Sequence, residues 1–487
     1  MIDLTLHEDQ IEKNAKLCAR QNILLPTFDQ MANSEKIPAE VRKELTSIRT
    51  DDVHSRNLFR VTWENEPTRE GGGFDGVNYM EIPSELTGVS ARIIGLVGKW
   101  FPTGAHKVGA AYSCLAPTLV TGQFDPERNM AVWPSTGNYC RGGAYISRLL
   151  ACKSVAILPE EMSQERFRWL ERMADETIAT PGCESNVKEI FDKCHELEAE
   201  RGENIFIFNQ FEEFGNHLWH HEVTGRSMEK VLEKEMGPRD RLAGTCVSSG
   251  SAGTTASGEY LKKRFPEAKL AVSEATQCPT LLANGFGGHR IEGIGDKHVP
   301  WIHNVKNTDM VIAVDDEHTM RLLRLFNEPV GRNYLKEKGV APEIVDTLDT
   351  LGISCICNII TAIKFAKYYE LTGEDIVMTV FTDSEALYTS RLQELREERG
   401  EYTRDNAVAD FEMLQQIGTN DLLELRYEDR KRVHNLKYYT WVEQQGKSYE
   451  EINRQWYDRD YWQSIYDTRE PLDDLIREFN ERVEKYK

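Results

Sequence analysis

The sequence predicts an α/β protein built on an open, largely parallel sheet with helices on both faces. Three observations carry that prediction. Between Ala91 and Phe381, short apolar strand-like runs alternate with amphipathic stretches, the texture of repeated βα units. Two of the runs end in glycine- and serine-rich turns that open helices, "SSGSAGTTASGEYLKKRF" and "WPSTGNYCRGGAYISRLLA". The third is Lys107 in "GKWFPTGAHKVGAAYSC", a lysine with no charged neighbour between Lys99 and Cys114.

Taken in order, residues 1–85 read as a polar, irregular N-terminal extension. Within it "TREGGGFDG" is a glycine-rich loop without a phosphate-site pattern. The alternating region follows: "SVAILP" then "SQERFRWLERM", "TIATPG" then "NVKEIFDKCHELEAE", "NIFIFNQF", "AGTCVSSG" then its helix, "KLAVSEA", "MVIAVDD" then "EHTMRLLRLF", and "DIVMTVF". Sheets of this kind bind ligands beyond the carboxyl ends of their strands. From Gln393 the chain turns charged and tyrosine-rich, and residues 393–487 read as a helical C-terminal extension whose aromatic density argues for packing rather than a free tail.

Composition narrows the function. The 487 residues carry a formal charge of −21, which disfavours a nucleic-acid binder. No apolar run approaches a membrane span, and the polar, acidic start does not read as a signal peptide. The ten cysteines include no CxxC pair, which fits reduced thiols in a cytoplasmic protein.

Three stretches carry chemistry. The turn Gly250, Ser251, Ala252, Gly253, Thr254 follows a strand and opens a helix, so its free amides and the helix dipole form an anion site, most naturally for phosphate. It is neither GxGxxG nor a Walker A loop, and a nicotinamide-binding reading fails on that ground. "WPSTGNYC" makes a second turn before a helix expected over Gly142 to Leu150, and Asn138 offers an amide able to bridge two ligand groups. Lys107, its stem among small residues, is expected at the base of a pocket, with those residues leaving room for a flat ligand. Two helix N-termini and one pocketed amine suit a ligand with a phosphate and a carboxylate.

With these motifs in order, the chain resembles the fold-type II pyridoxal-phosphate enzymes, the superfamily of cysteine synthase, cystathionine β-synthase, threonine synthase and tryptophan synthase β. "PTGAHK" is similar to the Schiff-base lysine motif, "STGNYCRGGAYISR" to the asparagine loop, and "ILPEEMSQERFRWLERMADETIATPG" to the segment after it. "FNQFEEFGNHLWHHEVTG" resembles the loop bearing a substrate-side glutamine, and "SSGSAGTTASGEYLKKRFPEAKLAVSEA" the phosphate loop with its helix and strand. "HRIEGIGDKHVP" resembles the gating glycine segment, and "LGISCICNIITAIKFAK" with "IVMTVFTDSEALYTS" the serine partner of the pyridine nitrogen and the last strand. The resemblance spans Tyr79 to Leu392.

It implies two open α/β sheets with pyridoxal 5'-phosphate in the cleft between them. It also implies a catalytic core over 86–392, a smaller mobile subdomain over about 118–215, and a homodimer acting on a small amino acid, with no nucleic acid, membrane or metal involved. Lys107 would hold the cofactor and then act as general base. Gly250, Ser251, Ala252, Gly253 and Thr254 would bind the phosphate, Asn138 the ring hydroxyl and Ser354 the ring nitrogen. Ser135, Thr136, Gly137, Gln210 and Gly293 would meet the substrate. The implied reaction is β-elimination or β-replacement on a β-substituted amino acid through an aminoacrylate, cysteine synthase-like or cysteine lyase-like. The alternatives are an ammonia-lyase or other lyase on a different amino acid, and a non-catalytic subunit on the same fold. Around the lysine the sequence departs from the cysteine synthase pattern at Ala105, His106 and Gly109. Ser135 stands where tryptophan synthase β has a catalytic glutamate.

Other signals read as structural. His217 and His221 are four apart and could share a helix face with a metal, but a polar surface helix is the expected reading. Cys355 and Cys357 form a lone CxC, and Cys140 reads as a small buried hydrophobe. His106 is balanced between a hydrogen-bonded structural histidine and a group stacked near the ligand.

Overall fold

The computed structural model describes residues 1–487. Eleven strands form two sheets: β1 Tyr79–Ile82, β2 Arg92–Val97, β3 Met130–Pro134, β4 Ser154–Pro159, β5 Glu176–Thr180, β6 Ile205–Ile207, β7 Arg241–Ser248, β8 Lys269–Ala275, β9 Met310–Val314, β10 Asp375–Phe381 and β11 Leu422–Glu424. The larger sheet runs β1-β2-β10-β7-β8-β9-β11 and the smaller β5-β4-β3-β6. The smaller sheet and the inner five strands of the larger are parallel, as β-α alternation requires. Only the edges β1 and β11 pair antiparallel.

The chain enters the large sheet with β1 and β2, leaves it to build the whole small sheet, and returns with β7. A cleft between the sheets is therefore crossed by the backbone just after β2 and just before β7, where ligand-binding residues collect. All seven strand-like runs named from the sequence are strands. The central parallel strands are buried along nearly their whole length, which is why they read as continuous apolar runs rather than alternating ones.

Both terminal segments belong to the body of the protein. The N-terminal segment is more ordered than its polar composition suggests: it begins with a helix, Glu8–Arg20, whose buried Asn14 donates to the carbonyls of Leu119 and Phe124, both at 2.9 Å. The C-terminal segment is helical except for β11, which extends the large sheet. Trp441, Ile465, Ile476 and Phe479 join Ile11, Leu25, Phe28 and Trp63 in one continuous core. Lys437 is fully buried and donates to the carbonyls of Trp301 at 2.8 Å and His303 at 2.7 Å and to Gln455 at 2.7 Å, an amine solvated entirely by protein oxygens that burial lowers well below its ordinary value.

Candidate active site

Lys107 is the first residue of the helix Lys107–Val120, with His106 as its N-cap. The positive end of the helix dipole and the burial of the stem both disfavour a charged amine. Burial lowers the amine to about 8, against the pull of Asp296 and Glu184. Its Nζ donates to Ser251 Oγ at 2.7 Å and Gln210 Oε1 at 3.2 Å. The small residues that follow do different work from that expected. A Cβ on Gly109 would lie 2.2 Å from the Trp219 ring, and one on Gly142 2.8 Å from Val108 Cα. They allow this helix to meet its neighbours closely, and the room around the amine comes from the loops opposite.

Those loops bring the expected residues together. One cavity is lined by Lys107, Ser135, Thr136, Asn138, Gln210, the turn Gly250–Thr254, Gly293 and Ser354. Gly137 lies behind its wall: its amide donates to Ser135 Oγ at 2.9 Å, and a Cβ there would collide with Arg166. The helix after this turn begins at Asn138, four residues earlier than its sequence suggested, which aims the Asn138 side chain inward.

The turn after β7 has the form of an anion cradle. Its helix begins at Thr255, and none of the amides from Gly250 to Thr254 donates to a backbone carbonyl. Glycine is required for close approach: a Cβ on Gly250 would sit 2.8 Å from the Gly293 carbonyl, and one on Gly253 2.2 Å from Asn216 Oδ1. Unspent amides at a helix start, a half-buried amine opposite and a hydroxyl at Ser354 are the donor set pyridoxal phosphate needs at its phosphate, aldehyde and ring nitrogen. The residues fit the cofactor.

The structure adds residues the sequence did not single out. Asn138 Nδ2 donates to Asp383 Oδ2 at 2.6 Å, and Tyr388 donates to the same oxygen at 2.7 Å. Arg166, fully buried, pairs with Glu292, reaches Asp383 at 3.9 Å and donates to Tyr388 at 2.9 Å. Burial opposes its charge, but Tyr388, Asp383 and Glu184 outweigh that and raise the guanidinium further. Arg391, on the helix Thr389–Arg399, donates to Glu292 at 2.6 Å. This network ties the small sheet, through the helix Gln164–Met173, to the loop after β10 and the C-terminal segment. Two further carboxyls, Glu184 and Asp296, are buried near Lys107. Arg166 carried no signal because its helix is rich in exposed charge. Asp383 was findable, as a polar residue just past the carboxyl end of a core strand.

The remaining expectations resolve as follows. His217 and His221 are buried, not on a surface helix. His217 Nε2 is 2.9 Å from the Tyr466 hydroxyl, and His221 stacks on the Tyr466 ring at 3.6 Å. No cluster of metal-ligating residues is present. The His106 ring makes no hydrogen bond and packs among Trp63, Trp219 and His220, and burial drives it down to about 3, so it stays neutral. Cys140 is fully buried, its thiol donating to the Gly137 carbonyl at 2.9 Å and raised by burial to about 12. No helix is long and apolar enough to cross a membrane.

Known proteins resemble this chain in sequence and in fold. The chain is 30% identical over 217 residues to a probable cysteine synthase of Bacillus subtilis, covering 44% of this chain and 68% of that one. It is 23% identical over 351 residues to the cystathionine beta-synthase of Saccharomyces cerevisiae, covering 70% and 64%. Among solved structures, a hydrogen sulfide-producing enzyme of Fusobacterium nucleatum superposes with a TM-score of 0.55 at 19% identity, covering 68% of this chain and 98% of that one. The cysteine synthase of Entamoeba histolytica gives 0.56 at 19% identity, covering 69% and 92%. The profile of the pyridoxal-phosphate dependent enzymes matches residues 100–331, across the lysine, the asparagine turn and the phosphate turn, and the chain belongs to that family.

Proposed function

We propose that this protein catalyses β-elimination or β-replacement on a β-substituted amino acid, in the manner of a cysteine synthase or cysteine lyase. The observation that carries the reading is the half-buried Lys107 amine facing an unspent amide cradle across one cavity. The cysteine synthase relatives support it.

Pyridoxal phosphate, when bound, supplies the electron sink such reactions need. Lys107 would hold it, the amides of Gly250, Ser251, Ala252, Gly253 and Thr254 would take its phosphate, Asn138 its ring hydroxyl and Ser354 its ring nitrogen. A serine hydroxyl at Ser354 would not keep that nitrogen protonated as a carboxylate would, so the group would supply a milder electron sink. The Lys107 amine, poised near 8, accepts the α-proton at Nζ. Ser135, Thr136 and Gln210 orient the α-carboxylate, with Gly137 shaping the turn, and Gly293 lines the mouth. The Asn138–Asp383–Tyr388–Arg166 network holds the asparagine turn rigid and excludes water from its far side.

In this reading residues 86–392 are the catalytic core, about 118–215 its smaller moving part, and 1–85 and 393–487 its supports. The protein is a cytoplasmic homodimer. The test is to mix the purified holoprotein with O-acetylserine plus sulfide, with cysteine, and with serine, following the visible spectrum and the release of acetate, sulfide or pyruvate. A spectral change with product from one of them supports the reading, and no response to any of the three overturns it.

A further inference from the structure

The glycine-rich loop "TREGGGFDG" contributes no residue to the cavity, yet it reaches the turn that carries Lys107. It closes a hairpin in the N-terminal segment. The Glu66 amide donates to the Gly73 carbonyl and the Asp75 amide to the Glu64 carbonyl, both at 3.0 Å. Gly71 and Gly72 bend the loop with φ of 102° and 106°, values that glycine adopts without steric cost.

Two side chains of this hairpin hold four successive carbonyls. Arg69 donates through Nη2 to Lys99, and through Nη1 to Phe101 at 2.7 Å and Pro102 at 3.4 Å. Asn65, 1% exposed, donates through Nδ2 to Trp100 at 3.3 Å, and to the carbonyls of Arg60 at 2.8 Å and Thr62 at 3.1 Å. Residues 99–102 lead from β2 to the helix that begins at Lys107. Their main chain has little else to fix it. From Phe101 to Ala105 no backbone hydrogen bond reaches another element, and His106 makes one, to the Thr382 carbonyl at 3.3 Å. Carbonyls in such a turn need donors from elsewhere, and Arg69 and Asn65 supply them. The Phe101 ring adds an edge-on contact with Trp63, at 5.0 Å between centroids.

We propose that Arg69 and Asn65 are positioning residues for Lys107: by clamping the carbonyls of residues 99–102 they set where its amine stands relative to the phosphate cradle opposite. The proposal rests on the reading of Lys107 as the cofactor-holding lysine. The planar guanidinium fork spans carbonyls that diverge along the turn, which a lysine ammonium, a point charge on a flexible stem, does not reproduce. Without the clamp the turn has to be ordered anew each time the cofactor is engaged, so the cost falls on cofactor binding and on the speed with which the amine captures it.

The test is to titrate the cofactor-free full-length chain with pyridoxal phosphate by visible absorbance, and to follow the rate at which borohydride-fixed pyridoxyl accumulates at Lys107. Arg69→Lys, which keeps the charge and loses the fork, should raise the dissociation constant about tenfold and slow fixation by a similar factor, the scale of one charge-assisted hydrogen bond. Asn65→Ala should act in the same direction and serves if Arg69→Lys does not fold. Arg49→Ala, which removes only a surface pair with Glu70, should stay within twofold of the parent. In Arg69→Ala, millimolar guanidinium should restore fixation toward the parent rate, and urea at the same concentration should not. Cofactor affinity and fixation rate within twofold of the parent in Arg69→Lys and Asn65→Ala, even with a lowered melting temperature, would overturn the proposal, as would an equal response of Arg69→Ala to guanidinium and urea. If the parent protein itself fixes no cofactor at Lys107, the reading beneath the proposal fails, and the proposal with it.

Discussion

Replacing Gly253 by alanine tests the phosphate cradle with one methyl group. In the structure a Cβ at this position lies 2.2 Å from Asn216 Oδ1 and 2.9 Å from the His220 ring, where ordinary contact begins at 3.4 Å. Asn216 has nowhere to go: it is fully buried, and its Nδ2 donates to the Gln210 carbonyl and to Ser251 Oγ, both at 3.0 Å. The turn must therefore give by about 1 Å, at an overpacking cost of about 1–3 kcal/mol. That displacement carries the amides away from the phosphate position. If the cost falls on the cofactor-bound form, it weakens pyridoxal phosphate by roughly fivefold to a hundredfold. The assay is a titration of cofactor-free protein with pyridoxal phosphate, read by visible absorbance. Gly73→Ala serves as control, because its Cβ would meet nothing within 4 Å. A Gly253→Ala protein that binds the cofactor within twofold of the parent would refute the assignment of this turn to the phosphate.

Three other outcomes follow from the same coordinates. Arg166→Met leaves Glu292 and Asp383 buried without their shared cation, so it should cost about 3–5 kcal/mol and lower the melting temperature well beyond what an exposed Arg168→Met change does. Glu184, raised by burial to about 7 from 4.5, holds its proton in the folded state over a range where the unfolded chain has lost it. It costs nothing below pH 4.5, costs progressively more from there to about 7, and costs a constant amount above. Melting temperatures of Glu184→Gln should therefore exceed those of the parent by more at pH 8 than at pH 4.5, and a gain independent of pH would contradict the shift. Of the ten cysteines only Cys183 is partly exposed, so a maleimide should label one thiol per native chain and all ten after denaturation.

The fold was legible because its parallel strands are buried on both faces and so write themselves as apolar runs such as "MVIAVDD" and "DIVMTVF". The edge strands β1 and β11 were not, since each is short, partly exposed and defined by its neighbour more than by its own residues. The cavity-lining residues were legible where local chain geometry demands particular types: glycines for a tight cradle, a lysine without charged company, an asparagine at a helix start. Arg166, Glu292, Glu184 and Asp296 were not, because a buried charge looks like a surface charge until its surroundings are seen across the fold. The C-terminal segment shows the same limit. Its charges and tyrosines suggested a helical extension, yet only the structure shows Lys437 and Trp441 sealed inside the core.

The central claim is that Lys107 holds pyridoxal phosphate. Reducing the purified protein with borohydride and mapping the pyridoxyl-modified lysine by peptide mass spectrometry tests it directly. The account predicts the modification on the peptide containing Lys107 and its loss in Lys107→Ala. Modification at another lysine, or none after incubation with pyridoxal phosphate, would contradict it.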